Sequence, residues 1–483
     1  MHRICTAPVS HFIAKRLVSP FWLRKRWLNK TQWMSADELS DLQFTLLKRM
    51  IRYAERNVPY YRELMKNGGF SSEDMCSLAD INVFPILTKK DVLKAGNDLL
   101  SQAFPKALLR RERTGGTTGT PLSVYRNYCS IGNEHAFVRR QWDWARVHVK
   151  DRCAYLRARI IAEPDAPKQK MCRYDPLLRE LHLSTYHLKP DTVPEYIDIM
   201  KRYRIAALAG YPSAVSLLAR VCLARRLSCP LKAVLTSSEA LTAPAREEIS
   251  NAFACPVYDF YGSVERVCYI FTCEHGRYHM QPEYGYTELI PVNGSEDDRC
   301  RVVSTGFWNK AMPLIRYDTG DLVIKGNGPC PCGRAFPVIR AVVGREGDII
   351  KAPSGEEFGA TLMITLLHVA CRASNILETQ FIQDAPGHLT VAYVPGENFS
   401  ADAFRAARTK FAAHLPKDIN VDFERVHAIS RTLRGKMRPV ISLLPTETMQ
   451  NDVPDLTSRR SEALRSAVEV QGATSHATMG MSL

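Results

Sequence analysis

Apolar residues first recur at helical spacing in the segment that follows residue 34. Ser35 and Glu38 have the spacing of a capping box, which satisfies backbone N–H groups at the start of a helix. Leu39 and Leu46 follow, with other apolar residues three or four positions apart. The pattern therefore predicts a helix over residues 35–56.

From about residue 190 onward, stretches with helical spacing alternate with short apolar runs. This pattern predicts helices over residues 196–203, 214–225 and 245–253, and strands over residues 205–210, 233–236 and 257–260. Two further strands, 286–290 and 301–304, indicate a β-rich region farther along the chain. Because helices and strands alternate, we expect an α/β fold for the larger part of the protein.

The pattern changes again near residue 348. Helices are predicted near 360–371 and 401–414, and strands near 379–382 and 389–394, which is typical of a small α+β domain. The last residues are small and polar, so we expect a disordered tail there. The chain then divides into an N-terminal arm (1–34), a large α/β domain with several subdomains (35–347), a small C-terminal α+β domain (348–446) and the tail (447–483).

The chain is basic, with a formal net charge of +15 over 483 residues. Such a charge favours anionic partners, which include nucleic acid, phosphorylated small molecules and anionic membrane surfaces. No nucleic-acid-binding module accompanies the charge, so we do not expect nucleic acid as a partner. The N-terminal arm is basic and aromatic. We expect it to pack on its own domain, and the alternative is that it lies on a membrane surface.

The lengths of the apolar runs and the distribution of the cysteines indicate the compartment in which the protein is expected. No stretch reaches the roughly 20 consecutive apolar residues of a membrane span, and basic residues interrupt the apolar positions of the arm, so no secretory signal is expected. The chain has 14 scattered cysteines. Without an export signal, reduced thiols are favoured over a disulfide framework. We therefore expect a cytoplasmic protein.

The run RTGGTTGTP at residues 113–121 holds three glycines and four threonines. Glycine lets the backbone turn its N–H groups into one concavity, and hydroxyl groups add donors, so the run suits a polyphosphate. It is not a Walker P-loop, because Gly119 is followed by Thr120 and not by lysine. It also lacks the G-x-G-x-x-G pattern of a dinucleotide-binding turn. Alone, such a run is more often a plain loop.

Four other motifs follow this glycine–threonine run. They are YGSVE at 261–265, RYDTGD at 316–321, GREGD at 344–348 and RGK at 434–436. In this order, the set resembles the adenylate-forming, acyl-activating superfamily over residues 35–444. Within that superfamily the chain resembles the phenylacetate-CoA ligase branch, including its relatives in capsule and polysaccharide gene clusters. The segments RYAERNVPYYR at 52–62 and PILTKKD at 85–91 carry this second resemblance.

The resemblance implies that the chain binds ATP and Mg²⁺. Tyr261 is expected to lie against the adenine ring, Asp321 to accept both ribose hydroxyls, and Arg345 to contact ribose or phosphate. Glu265 is expected to hold the magnesium ion, since a hard cation prefers carboxylate oxygen. The other residues implied for ATP binding are Thr114, Gly115, Gly116, Thr117, Thr118, Gly119, Ser238, Glu239 and Gly262.

The resemblance also implies that the C-terminal domain is mobile. Asp348 is the expected hinge, and Lys436 is the expected catalytic lysine, which meets the charge that develops on the α-phosphate. Two residues depart from the family's usual pattern. Thr120 stands where the family usually has lysine, and Gly347 stands where it more often has an acidic residue.

A second group of residues has metal-ligand chemistry. Cys273 and His279 lie in the segment CEHGRYH, and Cys330 and Cys332 lie in CPCGR. Three thiolates and one imidazole make a closed, tetrahedral zinc site of the structural type. His275 is the alternative to His279 as the fourth ligand. Unliganded thiols are the other interpretation, but some members of the similar branch carry such cysteines, which favours zinc.

The expected activity is that of an AMP-forming acid–thiol ligase. A carboxylic acid attacks ATP to give an acyl-adenylate and pyrophosphate, and the thiol of coenzyme A then displaces AMP. Glu265 and Lys436 are the expected catalytic residues. Two alternatives stay open: acyl transfer to an amine or hydroxyl acceptor in capsule or polysaccharide biosynthesis, and a non-catalytic, nucleotide-binding assembly factor.

Overall fold

The fold combines a large mixed sheet, with helices packed on it, and a smaller sheet near the C-terminal end. This architecture is seen in a computed structural model of the chain. The residues that it describes are 21–114, 122–157, 171–292, 298–345, 349–354, 357–359, 363, 367, 374–431 and 436–444.

The capping box predicted at the start of the second helix is confirmed. Ser35 Oγ accepts a hydrogen bond from the Glu38 N–H at 3.2 Å, and Glu38 Oε2 accepts one from the Ser35 N–H at 2.8 Å. The three helices predicted between residues 196 and 253 are also present, as α6, α7 and α8. The helices of the larger domain are α1 (Phe21–Thr31), α2 (Ala36–Asn57), α3 (Pro59–Gly68), α4 (Lys89–Ala95), α5 (Tyr128–Trp144), α6 (Val193–Arg202), α7 (Pro212–Ala224) and α8 (Ala243–Phe253).

A hairpin precedes the main sheet, and its strands are β1 (Arg110–Arg113) and β2 (Ser123–Arg126). Twelve strands form the main sheet, in the spatial order β11-β12-β13-β14-β10-β9-β8-β7-β6-β3-β5-β4. Their bounds are β3 (Cys153–Leu156), β4 (Cys172–Asp175), β5 (Glu180–Leu183), β6 (Ala207–Gly210), β7 (Ala233–Ser237), β8 (Val257–Gly262), β9 (Tyr269–Thr272), β10 (Tyr278–Met280), β11 (Gly285–Pro291), β12 (Arg299–Gly306), β13 (Tyr317–Lys325) and β14 (Val338–Arg345).

The parallel part of this sheet holds the strands that the apolar runs predict. β3, β6, β7 and β8 pair in parallel, and all residues of β6 and β7 are buried. Strands covered on both faces read as continuous apolar runs, which is why the sequence marks them. The antiparallel strands β11 and β12 match the β-rich region predicted around residues 286–304.

The C-terminal domain has its own sheet, in the order β19-β18-β17-β20, and its own apolar core around Phe381, Phe404 and Phe411. The predicted strands 379–382 and 389–394 and the predicted helix 401–414 are present. The fold prediction, a large α/β domain followed by a small α+β domain, is confirmed. The elements are β15 (Ile349–Lys351), β16 (Glu357–Gly359), β17 (Ile376–Ala385), β18 (His388–Pro395), α9 (Ala401–Ala412), β19 (Asn420–Arg425) and β20 (Val440–Ser442).

Part of the N-terminal arm is helix α1, which packs against α5. Leu28 is fully buried, and Thr31 Oγ1 donates a hydrogen bond to Glu283 Oε1 at 2.7 Å. The other side of α1 leaves Trp22 and Leu23 exposed. Among the described residues, no helix has both the length and the apolar character needed to cross a membrane.

Candidate active site

Five parallel strands of the main sheet, β5, β3, β6, β7 and β8, end at one edge, and ligands of open α/β sheets bind outside such an edge. β7 ends at Ser237, and the next residue, Ser238, has a φ of 74°. Few residues other than glycine adopt this left-handed conformation, which is concentrated at functional sites. β8 ends at Tyr261 and Gly262. Three residues of the predicted nucleotide site therefore lie at this edge.

Asp321 is in contact with two other predicted nucleotide-binding residues. The Tyr261 hydroxyl donates to Asp321 Oδ2 at 2.7 Å, and Arg345 Nε lies 3.4 Å from Asp321 Oδ1. The second contact follows from strand register, because Asp321 of β13 pairs with Arg345 of β14. Burial raises the pKa of Tyr261 well above its usual value, and the Asp321 charge raises it further. The phenol therefore stays protonated and donates its hydrogen to the Asp321 carboxylate.

Glu265 lies in the turn after β8 and is buried. Its Oε1 accepts a hydrogen bond from the Tyr317 hydroxyl at 3.1 Å. Tyr317 lies on β13 four residues before Asp321, with an irregularity of strand pairing between them. Through Tyr317, Glu265 contacts the strand that carries Asp321. In the same turn the Ser263 hydroxyl is buried and has no hydrogen-bond partner among the described residues.

The buried thiol of Cys268 links these two carboxylates. Burial raises the pKa of Cys268, and the charges of Asp321 and Glu265 raise it further. Because Asp321 and Glu265 both raise the pKa of Cys268, the two carboxylates lie close to the same thiol. The structure thus brings Tyr261, Glu265, Asp321 and Arg345 together.

The C-terminal segment carries Lys436 to the same edge of the sheet. Lys436 Nζ donates to the Ser238 carbonyl oxygen at 3.1 Å and lies 5.7 Å from the centroid of the Tyr211 ring. The Lys436 ammonium group therefore lies beside Ser238, the residue with a left-handed backbone that follows β7.

Glu239 connects the two domains next to this lysine. Its Oε1 accepts a hydrogen bond from the Met437 N–H, and its Oε2 accepts one from the Ser213 N–H at the start of α7, both at 3.0 Å. Burial raises the pKa of Glu239. In this arrangement both carboxylate oxygens are engaged with protein, so Glu239 positions the Lys436 segment.

A buried charge network holds the elements on either side of the glycine–threonine run. Glu134 of α5 pairs with both Arg126 of β2 and Arg266, the residue after Glu265. Glu112 of β1 lies 3.3 Å from Arg126 Nη1 and 3.6 Å from Arg266 Nη2. Burial alone would raise the pKa of Glu134, but the two arginines outweigh it and lower that pKa to about 2.

Some predicted site residues lie outside the described residues. These are residues 115–119 of the glycine–threonine run and the hinge residue Asp348. Thr114 is described: its N–H donates to the Leu122 carbonyl at 2.9 Å, and its Oγ1 accepts from the Leu122 N–H at 2.9 Å. These two bonds close the base of the run where β1 and β2 meet.

The four predicted metal ligands meet in one buried cluster. The ligand atoms of Cys273, His279, Cys330 and Cys332 all lie within 4.8 Å of one another. Cys273 Sγ is 3.6 Å from Cys330 Sγ, and Cys332 Sγ is 3.5 Å from His279 Nε2. Tetrahedral zinc, with Zn–S bonds of about 2.3 Å, holds sulfur atoms roughly 3.8 Å apart. The cluster therefore has the donor types and the spacing of such a site.

Local turns shape this cluster and exclude the alternative histidine. Gly276 and Gly333 adopt φ values of 73° and 76° in the turns that follow Cys273 and Cys330. The His275 ring is exposed, whereas its N–H donates to Cys273 Sγ at 3.4 Å. Burial lowers the pKa of His279 to about 4, so its imidazole is neutral at pH 7 and can offer a lone pair.

Several residues of the site were not predicted from the sequence. Tyr317 was not singled out, although its two-residue spacing from Thr319 and Asp321 on a strand is a usable signal. Arg266 and Glu134 were also missed. They are 132 positions apart, and only the packing of α5 against the turn after β8 brings them together.

Comparison with known proteins finds relatives along most of the chain. The CapK C-terminal domain model matches residues 358–443. Protein CapK of Staphylococcus aureus is 24% identical over 411 residues, which cover 84% of this chain and 90% of that protein. Phenylacetate-coenzyme A ligase of Aromatoleum evansii is 25% identical over 454 residues, which cover 86% of this chain and 96% of that protein.

A solved structure shares the fold. The crystal structure of 2-hydroxyisobutyryl-CoA ligase in the postadenylation state, in complex with R3-HIB-AMP, matches with a TM-score of 0.66 at 19% identity. The match covers 89% of this chain and 93% of that one. The chain is thus a homologue of CapK and of the phenylacetate-coenzyme A ligases, with the fold of an adenylate-forming ligase and a CapK C-terminal domain.

Proposed function

We propose that this protein is an ATP-dependent ligase that activates a carboxylic acid as its acyl-adenylate and then transfers the acyl group to coenzyme A. The observation that carries the proposal is the convergence on Asp321. Tyr261, from the end of β8, and Arg345, from β14, both contact its carboxylate, and Glu265 accepts a hydrogen bond from Tyr317 of the strand that carries Asp321. These residues supply an aromatic ring, a carboxylate for ribose hydroxyls and a cation, which is the chemistry that a nucleotide needs.

Adenylation requires an acid oxygen in line with the α-phosphate and stabilisation of the charge that leaves with pyrophosphate. The N–H groups and hydroxyls of Thr114, Gly115, Gly116, Thr117, Thr118 and Gly119 would bind the β- and γ-phosphates. Lys436 would meet the charge that develops on the α-phosphate. Its contact with Ser238 supports an arrangement of the C-terminal domain that suits this first step.

Magnesium fits the residues around Glu265. A buried carboxylate with one described hydrogen-bond donor, beside the unpaired Ser263 hydroxyl, offers the oxygen ligands that a hard cation prefers. When bound, the ion would supply positive charge that offsets the negative charge of the phosphates. Glu265 would hold it, and Tyr317 would orient the Glu265 carboxylate.

The second step requires Lys436 to leave. The C-terminal domain contacts the larger domain through Arg431 Nη1 and Ser213 Oγ, 3.3 Å apart, and through the pairs Arg225–Glu397 and Arg220–Leu377 carbonyl. Rotation near Asp348 would break the contacts of Lys436 and Met437 and open the acyl-adenylate to a thiol.

Acid-dependent exchange of labelled pyrophosphate into ATP, screened over a panel of carboxylic acids, tests this proposal. We expect exchange with at least one acid class and its loss in Glu265→Gln. If ATP binds but no acid supports exchange, the protein is a nucleotide-binding assembly factor and the proposal is wrong.

A second acceptor class has one observation in its favour, the match of residues 358–443 to the CapK C-terminal domain. The C-terminal domain would face the acceptor in the second step, so an amine or hydroxyl acceptor stays open as the alternative to the thiol of coenzyme A. Mixing the preformed acyl-adenylate with coenzyme A or with amino sugars distinguishes the two. Faster AMP release with the amino sugar would favour amide formation.

We also infer that Cys273, His279, Cys330 and Cys332 hold a structural zinc ion. Support comes from the burial of all four residues and from the spacing of their ligand atoms. Elemental analysis of the purified protein is expected to give about one zinc per chain. Protein that contains no zinc, or zinc that persists after Cys330→Ser and Cys332→Ser together, would contradict this assignment.

A further inference from the structure

Arg157 follows the last residue of β3, at the edge of the sheet where the proposed active site lies. Leu156 pairs with Gly210 at the end of β6, and Gly210 pairs with Thr236 of β7. Arg157 Nη1 reaches from the end of β3 to the end of β7, where it donates to Ser237 Oγ at 3.1 Å. Arg157 therefore lies over the carboxyl ends of three parallel strands.

This arginine differs from the other half-buried and buried arginines near the site. Arg126 and Arg266 pair with Glu134, and Arg345 pairs with Asp321. For Arg157, no described residue provides a carboxylate partner. The described contacts are the Ser237 hydroxyl and the face of the Tyr155 ring, 5.4 Å from the guanidinium carbon.

The described surroundings contact the guanidinium through a hydroxyl and an aromatic ring and not through a carboxylate. The Tyr155 ring stacks between Trp142 and His182, with centroid distances of 5.8 and 5.5 Å. The carboxylate of Glu180, on the neighbouring strand β5, lies 3.3 Å from His182 Nε2. A cation beside a neutral aromatic ring keeps its charge available to an anion that arrives later.

A second polar group in this region, the buried Tyr269 hydroxyl, has no hydrogen-bond partner among the described residues. Its ring, which is 2% exposed, stacks on Phe260 at a centroid distance of 5.0 Å. Phe260 pairs with Ser237, the residue that accepts a hydrogen bond from Arg157, so the Tyr269 ring lies next to the strand position that Arg157 contacts. A buried hydroxyl without a partner is costly unless a ligand satisfies it.

The position of Arg157 relative to Lys436 indicates which part of a ligand it meets. Ser237, which accepts from Arg157, precedes Ser238, whose carbonyl accepts from Lys436. Lys436 comes from the C-terminal domain and contacts residues just after β7 and β6, whereas Arg157 comes from β3, which lies beyond β6 in the sheet. If Lys436 meets the reacting phosphate, Arg157 lies farther along the acyl part of the substrate.

We propose that Arg157, assisted by the Tyr269 hydroxyl, binds a second oxyanion on the acid substrate. The proposal rests on the proposed adenylation function and names its substrate class: an acid that carries a further carboxylate or phosphate group. A guanidinium binds such a group through two parallel hydrogen bonds, which a neutral acyl chain cannot form.

The test compares acids that differ only in the second anion. Pyrophosphate exchange is measured with succinate against butyrate, 1,4-phenylenediacetate against phenylacetate, and 3-phosphoglycerate against glycerate. We expect kcat/KM for the dianionic member of at least one pair to exceed that of its partner about tenfold or more, since a charge-assisted hydrogen bond contributes on that scale. The carboxylate and phosphate pairs identify the source of the oxyanion.

Arg157→Gln is expected to lower kcat/KM for the dianionic acid about 10- to 100-fold and to leave the monoanionic acid within about threefold. Tyr269→Phe, which keeps the ring stack, should give a smaller loss in the same direction. Arg152→Gln is the matched control, because Arg152 is an exposed arginine near the opposite end of β3 whose Nη1 donates to the Tyr203 carbonyl. Arg152→Gln should leave kcat/KM unchanged for both the dianionic and the monoanionic acid.

Two outcomes overturn the proposal while adenylation stands. One is exchange without preference for the dianionic acid in any pair. The other is an equal loss for both acids in Arg157→Gln, which would mean that Arg157 contacts the reacting carboxylate. If no acid supports exchange, adenylation itself fails, and the subsite is judged by thermal shift. Succinate, 1,4-phenylenediacetate or 3-phosphoglycerate should then raise the Tm of the wild type and not of Arg157→Gln; no shift with any of the three overturns it.

Discussion

The two candidate centres of this protein are built in opposite ways. The Cys273–His279–Cys330–Cys332 cluster comes from two tight turns within one domain, and its four ligand atoms lie within one small buried volume. The proposed reaction centre draws Asp321 and Glu265 from the main sheet and Lys436 from the C-terminal domain. One centre is closed and complete, whereas the other is open and depends on the position of a second domain.

Because the two centres differ in this way, we expect the cluster to determine stability and the reaction centre to determine activity. A closed cluster with no open position can stabilise the fold but has no place for a substrate. An open centre keeps groups without a partner among the described residues, such as the Ser263 hydroxyl, that a ligand can satisfy. We therefore expect changes in the cluster to act on unfolding, and changes in the reaction centre to act on catalysis.

The largest effect is expected from Lys436→Ala. Loss of a cation that meets charge in the transition state costs about 10²–10³-fold in rate, so pyrophosphate exchange should fall by that factor. Thioester formation from a supplied acyl-adenylate should change little, because Lys436 leaves for that step. Lys417→Ala, at an exposed position of the same domain, is the control. If Lys436→Ala retains both half-reactions, another group stabilises the charge that develops on the α-phosphate.

The next effect concerns the charge network beneath the reaction centre. The arginines hold the pKa of Glu134 at about 2, below its usual 4.5, so the ionised carboxylate stabilises the fold above pH 4.5. That stabilisation, on the order of 3 kcal/mol, is lost as the pH falls from about 4.5 towards 2. Urea unfolding at several pH values should show this slope in the wild type and a smaller slope in Glu134→Gln. An unchanged slope would contradict the assigned network, and Glu63→Gln, at an exposed site, is the control.

Cys330→Ser tests the closed cluster. We expect loss of bound zinc and a fall in the free energy of unfolding of about 2 kcal/mol or more, because zinc binding contributes directly to folding. The kcat of the folded variant should stay within about twofold, since the cluster holds no substrate. Cys300→Ser replaces a buried cysteine outside the cluster and should keep the metal. A Cys330→Ser protein that is fully stable but inactive would reverse the roles of the two centres.

The smallest effect is expected from Tyr261→Phe. The variant removes the hydrogen bond to Asp321 and keeps the ring, so KM for ATP should rise by about three- to tenfold with kcat nearly unchanged. Asp321→Asn should have a larger effect on the same constant. If Tyr261→Phe lowers kcat and leaves KM unaltered, Tyr261 acts on the chemistry and not on nucleotide position.

The sequence predicts those parts of the fold that depend on local pattern. The capping box of α2 and the buried runs of β6, β7 and β8 are signals that neighbouring residues carry. The cluster was also predictable, because its turns keep each pair of ligands close in sequence. Arg157 and the Glu134–Arg266 pair were not, since they depend on which strands and helices are neighbours in space. Helix α1 was also missed, because its basic residues break the apolar pattern of the arm.

The central claim is that residues from the main sheet and the C-terminal domain bind one nucleotide. A crystal structure of the protein soaked with MgATP tests it most directly. We expect the adenine ring against Tyr261, the ribose hydroxyls within about 3 Å of Asp321, and the α-phosphate on the side of Lys436. A nucleotide bound in another cavity, with Asp321 and Glu265 untouched, would contradict the account.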